Sequence, residues 1–261
     1  MRHHDRTVDA FVESVRHRED VLGVVVTGSV AHGTERPDSD VDVQLVLTDE
    51  AFARAWQENR LSYVVRDVAT YEGGYVDIKV AGPEFLRRAA AVADDPMRRS
   101  MLGARVAWSR LEDLAALVAA IPVLPEGVWE DRMASFIAQV RLHGGYFLAQ
   151  AEKLGNTHLL HHAAAHTVSA GGRALLAHNR ILFQGHKYLD GALASAERVP
   201  AGYARAAADL LERPGTATGA AYTSLLESFH AWPLPREQTL STFVRDNELG
   251  WYSGAIPPEY R

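Results

Sequence analysis

Two aspartates, Asp40 and Asp42, stand two residues apart in "SDVDVQLVL", an apolar and β-branched run that reads as a strand. Side chains two apart in a strand share a face, so the pair presents two carboxylates at nearly one place. Anions that close repel each other, and the repulsion is relieved when they share a hard divalent cation; Mg²⁺ is held by one or two carboxylates plus substrate phosphates and water. A third carboxylate, Asp77, sits among apolar residues in "YVDIKV", another strand-like segment. If the two strands are neighbours, three carboxylates converge. Two-metal phosphoryl transfer needs that arrangement: one ion lowers the pKa of an attacking hydroxyl and the other neutralises the departing pyrophosphate. Asp67 in "VVRDVA" competes for the third place, but the alternation around Asp77 is more regular.

About a dozen residues before the pair, "VTGSVAHG" supplies the other half of such a site. A strand ending in Gly28-Ser29 and followed by a short helix can aim backbone amides and a hydroxyl at a phosphate, because small residues allow close approach. Lys79 shares the face of Asp77 and is a candidate phosphate contact. Read without this context, Asp40 and Asp42 would be a solvated turn and strand edge, and the strand, Gly-Ser, helix, strand order argues against that. Asp38 shapes the turn after Pro37, His32 reads as a turn histidine and Arg36 as a surface arginine. His158, His162 and His166 recur at i, i+4 in "HLLHHAAAH", a zinc-compatible spacing, yet no Glu follows the first His and a polar helix face accounts for them equally well.

The elements that must position these groups follow from periodicity. Val8, Phe11, Val12 and Val15 form the apolar face of a first helix; "VLGVVVTG" is a buried strand ending at Gly28. "DVDVQLVL" is the second strand, and Thr48 caps the helix "DEAFARAWQENR". "LSYVVRDVATY" and "YVDIKVAG" form an antiparallel hairpin across "EGG", Pro83 opens a helix, and "GARVAW" is a further strand. Beyond "IPVLPEG" every segment reads as helix, beginning with one whose face carries Trp129, Met133, Phe136, Ile137, Val140, Gly144, Phe147, Leu148 and Leu154. The next reads as helix throughout "THLLHHAAAHTVSAGGRALLAHNRIL". Tyr146 is also expected in the core, and Trp232, Trp251 and Tyr252 are expected to dock the last helices. The chain is therefore expected to hold a mixed α and β domain over residues 1–120 and a helical domain over residues 121–261 that contributes to the substrate cleft.

With no cysteine among 261 residues, thiolate chemistry and disulfides are excluded. The net charge of −6 argues against a nucleic-acid partner. No apolar run reaches the roughly 18 residues of a membrane span and the N-terminus lacks a secretory core, so the expected location is the cytoplasm. Oligomeric state stays open, a homodimer included.

Gly28-Ser29, Gly33, Ser39-Asp40-Val41-Asp42 and the later Asp77 together resemble the polymerase-β-like nucleotidyltransferase superfamily, and "GSVAHGTERPDSDVD" is similar to bacterial antibiotic nucleotidyltransferases such as the aminoglycoside adenylyltransferases. The resemblance covers roughly residues 22–80. It implies an α+β architecture: an N-terminal nucleotidyltransferase fold, a small mixed sheet with flanking helices, followed by an all-helical C-terminal bundle. It implies transfer of a nucleoside monophosphate, most commonly AMP from ATP, to a hydroxyl of a small acceptor, with two Mg²⁺ ions or Mn²⁺ in their place. Asp40 and Asp42 would bind both metals, Asp77 would bind the catalytic one and help take the acceptor's proton, and Ser29 with the Gly28 amide would hold the terminal phosphates. "HNRILFQGHKYL" is similar to a segment in which a lysine approaches the phosphates, which implies that role for Lys187. A glutamate such as Glu72, Glu84, Glu130 or Glu152 is an alternative base. Competing readings are a protein- or RNA-modifying enzyme of the same fold, and a catalytically silent, antitoxin-like nucleotide-binding module.

Overall fold

The apolar face of Val8, Phe11 and Val15 does fold as helix α1 (Arg2–Val15), laid against a five-stranded sheet. A computed structural model describes residues 1–254 and 257–258; the remaining residues, at the end of the expected second domain, lie outside it. The chain divides into two compact units, Met1–Val123 and Leu124–Arg261.

In the first unit the order is α1, β1 (Val21–Val26), α2 (Gly28–His32), β2 (Val41–Leu47), α3 (Asp49–Gln57), β3 (Ser62–Val65), β4 (Val76–Ala81), α4 (Pro83–Val92), α5 (Asp95–Met101), β5 (Arg105–Ser109) and α6 (Leu114–Ala120). The sheet order is β3-β4-β2-β1-β5; β2 and β4 are parallel and the other pairs antiparallel. This is the mixed sheet with flanking helices that the sequence implied. Period-two alternation splits β2 cleanly. Val41, Val43, Leu45 and Leu47 pack toward α1 and α3, whereas Val46, with Val25 and Ala81, packs toward α4, α5 and α6. Asp42 and Gln44 lie on the face of Val46, and Asp77 and Lys79 on the face of Ala81.

Local chemistry fixes the helix starts. Thr48 accepts the Ala51 amide at 3.2 Å, as expected of a cap, and Pro83 stands in the first turn of α4. Helix α5 was not expected; Asp94 caps it by accepting the Met97 amide at 2.9 Å. The Arg98 side chain in α5 donates to the carbonyls of Ala93 at 3.0 Å and Ile121 at 2.6 Å, pinning that layer together. The first hairpin strand is shorter than expected, because the chain leaves β3 after Val65 and turns through residues 66–75.

The second unit is helical: α7 (Glu126–Arg141), a π-helical stretch (Leu142–Phe147), α8 (Leu148–Leu154), α9 (Thr157–His178), a 3₁₀ turn (His186–Tyr188), α10 (Leu189–Ala194), α11 (Tyr203–Glu212), α12 (Thr216–Phe229), a 3₁₀ turn (Arg236–Gln238), α13 (Thr239–Phe243), a second π stretch (Val244–Glu248) and α14 (Gly250–Ser253). Trp129, Met133, Phe136, Ile137, Val140 and Leu148 are buried in its core as expected. Two expectations are corrected: Tyr146, six residues after the buried Val140 and so off its face, is 56% exposed, and Leu154, the last residue of α8, is 67% exposed. Helix α9 ends at His178, short of the expected end at Leu182, because Arg180 adopts φ 55°, outside the helical region. Trp232 is buried and donates to the Leu226 carbonyl at 2.9 Å, whereas Trp251 and Tyr252 are exposed. No helix among the described residues is long and apolar enough to cross a membrane.

Candidate active site

Asp42 and Asp77 are direct partners in the parallel β2–β4 ladder, so adjacency of their strands places the two carboxylates side by side. Asp40 differs from the expectation. Strand β2 begins at Val41, whose amide donates to the Tyr75 carbonyl at 3.1 Å, so Asp40 belongs to the preceding turn. That turn is closed by Ser39, whose amide donates to the Arg36 carbonyl at 3.1 Å and whose hydroxyl accepts the Arg36 amide at 2.9 Å. Asp40, Asp42 and Asp77 nevertheless bring one carboxylate oxygen each to within 4.8 Å of one another, all three half-buried. Among the described residues no other set of three ligating side chains gathers so closely.

The glycine of the Gly-Ser pair has a specific reason to be there. Strand β1 ends at Val26, two residues earlier than expected, and Thr27 donates its amide to the Asp42 carbonyl at 3.0 Å. Gly28 then takes φ 64°, and a Cβ on it would stand 2.0 Å from Asp42 Oδ2. The space a side chain would fill is occupied by the carboxylate. Ser29 follows, half-buried, in the five-residue α2, and its carbonyl accepts the Thr34 amide at 3.0 Å.

Burial raises the Asp42 pKa above the ordinary carboxylate value; the charges of Asp40 and Asp77 raise it further, and Lys79 opposes them. An anion held in this way is one that a cation would stabilise. Three convergent hard oxygen donors, one of them seated where a Gly28 side chain would otherwise stand, fit a hard divalent ion. Hydrogen bonding toward Asp40 and that group's charge lift the Tyr75 phenol above its usual value, and the Arg66 guanidinium lies 4.9 Å from the Tyr75 ring centroid. A cavity of about 230 Å³ opens beside the triad, lined by Thr27, Gln44, Lys79, Met97 and Ser100 together with Asp42 and Asp77. The α5 residues in that wall escaped sequence reasoning. Their only signal was the Asp94-Asp95-Pro96 helix start.

Other expected residues are placed elsewhere. Lys79 is exposed on the face of Asp77, and Lys187 is exposed in the second unit with its ammonium 5.4 Å from the Tyr188 ring centroid. Asp67 lies in the turn after β3. His32 bonds the Leu102 carbonyl, and Arg36 pairs with Asp38 at 3.2 Å. Of the alternative bases, Glu84 pairs with Arg87 at 3.4 Å, Glu152 accepts the Thr216 amide at 2.9 Å, and Glu72 and Glu130 are exposed. The i, i+4 histidines meet a fourth that sequence spacing did not suggest: His143, from the π stretch, stacks on His166 at 4.9 Å between centroids. His162 lies 4.1 Å from His166. Burial, then the His166 and His162 charges, lower the His143 pKa to about 3.

Residues 8–89 match the family model of the nucleotidyltransferase domain. Among solved structures, a nucleotidyltransferase-like protein from Exiguobacterium sibiricum is similar at a TM-score of 0.47 and 11% identity, over 93% of this chain and 77% of that one. No curated protein matches the chain.

Proposed function

Given the polymerase-β-like nucleotidyltransferase domain within residues 8–89, we propose that this chain moves AMP from ATP to a hydroxyl of a small acceptor, an aminoglycoside-like antibiotic among the candidates, and releases pyrophosphate. The convergence of Asp40, Asp42 and Asp77 carries this reading. Asp40 and Asp42 would hold two Mg²⁺ ions and Asp77 the one on the acceptor side; bound there, the ions supply charge neutralisation and a lowered hydroxyl pKa. Asp77 then accepts the acceptor's proton as its oxygen attacks the α-phosphorus and the bond to the β-phosphate oxygen breaks. The Gly28 amide and Ser29 would hold the departing phosphates, with Lys79 as a further cation facing Asp42. The net charge of −6 favours a small acceptor over RNA, whose backbone asks for a basic surface.

The test is pyrophosphate release from ATP, CTP, GTP or UTP with Mg²⁺ and a panel of hydroxylated acceptors, followed by mass analysis of the acceptor. The expected outcome is acceptor-dependent pyrophosphate and a product heavier by one AMP. Tight nucleotide binding without pyrophosphate across the panel would instead identify a silent nucleotide-binding module.

A further inference from the structure

Asp42 and Asp77 are fixed by a ladder of strand hydrogen bonds, and Asp40 is not. What restrains Asp40, besides the Tyr75 phenol that bonds toward its side chain, is the carbonyl immediately before it. Ser39 O accepts from His4 Nε2 at 3.0 Å and from the Tyr71 hydroxyl at 2.5 Å. The two rings meet edge to face with centroids 4.9 Å apart. His4 comes from the first turn of α1 and is fully buried; Tyr71 comes from the 66–75 connection. A carbonyl only accepts, so Nε2 carries the His4 proton, and Nδ1 is left as a buried acceptor with no partner. Burial lowers the His4 pKa, which keeps the ring neutral in that tautomer. An apolar side chain would fill this place without the orphaned nitrogen but could not make the bond to the Ser39 carbonyl.

The donors are themselves tied together. His3 Nε2 bonds the Pro37 carbonyl at 3.1 Å, the Thr70 hydroxyl donates to the His3 carbonyl at 2.8 Å, and the Thr70 amide donates to Thr7 Oγ1 at 3.1 Å. The start of α1, the turn of residues 36–40 and the 66–75 connection thus form one hydrogen-bonded assembly around the peptide that carries Asp40. A rotation of the Ser39–Asp40 peptide would swing the carboxylate away from its two partners and break both bonds to the carbonyl.

We propose that His4 and Tyr71 are positioning residues for Asp40: holding the Ser39 carbonyl from two sides, they aim the Asp40 carboxylate at Asp42 and Asp77, so cation capture depends on the docked start of α1. The proposal rests on the reading of the triad as a metal site. Groups that orient metal ligands typically change metal affinity by about ten- to a hundredfold when removed.

The test measures Mn²⁺ binding to the full chain by electron paramagnetic resonance, beside thermal unfolding in metal-free buffer. Tyr71→Phe removes one hydroxyl, His4→Leu removes the ring donor, and His4→Gln restores an N–H near the Nε2 position. Expected are roughly tenfold weaker Mn²⁺ binding in Tyr71→Phe and His4→Leu, substantial recovery in His4→Gln, and a lower kcat at a nearly unchanged acceptor KM. If His4→Leu does not fold, Tyr71→Phe decides. Asp40→Asn separates the two levels. If it loses Mn²⁺ while Tyr71→Phe and His4→Leu bind like the parent, the positioning role is overturned and the triad stands. If Asp40→Asn itself binds normally, the metal reading fails and takes the positioning role with it.

Discussion

Each unit gathers like titratable groups at close quarters, and each handles their repulsion differently. In the first unit, three carboxylates bring oxygens to within 4.8 Å, and burial together with mutual repulsion raises the Asp42 pKa. In the second, four imidazoles line α9 and the π stretch, and burial drives His143 to about 3. A carboxylate sheds its charge only by taking a proton, which neutral solution makes scarce. An imidazole sheds its charge by releasing one, which neutral solution makes easy. His143 therefore rests neutral against its neighbours, whereas Asp42 is held where a cation would stabilise its charge. Proximity of like groups alone does not make a metal site. Convergence of carboxylate donor atoms is what distinguishes the triad.

Asp42→Asn attacks that distinction most directly. On the proposed role of Asp42 as a metal ligand, its loss removes several kcal/mol of transition-state stabilisation, and the transfer rate is expected to fall on the order of a thousandfold. Stability should move the other way. The folded pKa of Asp42 lies above its unfolded value, so between the two the folded chain holds the extra proton and stability falls as pH rises. Asparagine removes this cost, so the metal-free variant should melt at a higher temperature than the parent at about pH 7. Mg²⁺ should raise the parent's melting temperature and leave the variant's nearly unmoved. A variant that melts lower without metal, yet still gains from Mg²⁺, would contradict the electrostatic account.

Gly28 and Gly33 offer a smaller, internally controlled test. Both have positive φ, 64° and 67°, but a Cβ on Gly28 would meet Asp42 Oδ2 at 2.0 Å and one on Gly33 would meet nothing within 4 Å. Either alanine incurs the left-handed backbone cost of about 1–2 kcal/mol. Only Gly28→Ala should also displace the Asp42 carboxylate. Calorimetric Mn²⁺ titrations should show roughly a hundredfold loss of affinity in Gly28→Ala and parent-like affinity in Gly33→Ala. Equal losses in the two would reduce Gly28 to a backbone requirement.

The same contrast explains what the sequence made legible. The triad and Gly-Ser pair are compact motifs, and their placement needs only strand period, one turn and one neighbouring strand, so Asp40, Asp42, Asp77 and Gly28 could be singled out in advance. Asp40's seat outside β2 could not, because it depends on bonds from His4 and Tyr71, which are distant in the chain on either side. The helical unit was legible as helices and as a core of Trp129, Phe136 and Leu148. Its errors were local. Tyr146 is exposed although Leu148 beside it stays in the core, and the π geometry of "LHGGYF", where His143 meets the α9 histidines, has no signature in the apolar pattern.

His143 provides the mildest perturbation, and it bears on the second half of the comparison. Its pKa is about 3 in the folded chain and about 6.5 when unfolded, so acid protonates the unfolded state first. The stability associated with its neutral form is complete above a pH of about 6.5 and is lost as pH falls toward about 3, by an amount on the order of 4 kcal/mol if the ring stays buried. His143→Phe cannot take up this proton. Its ring would sit between Phe147 and Phe243, whose centroids lie 5.0 and 5.8 Å from that of His143. Urea unfolding followed from about pH 7 to about pH 4 through a reporter in the helical unit should give a shallower loss of stability in the variant than in the parent. Asp42→Asn should alter the acid response of the first unit with the opposite sign, because there the folded state is the one that prefers the proton. Parallel pH slopes for His143→Phe and the parent would mean that the π stretch opens and lets the imidazole titrate in water, and the two clusters would then differ in donor geometry alone.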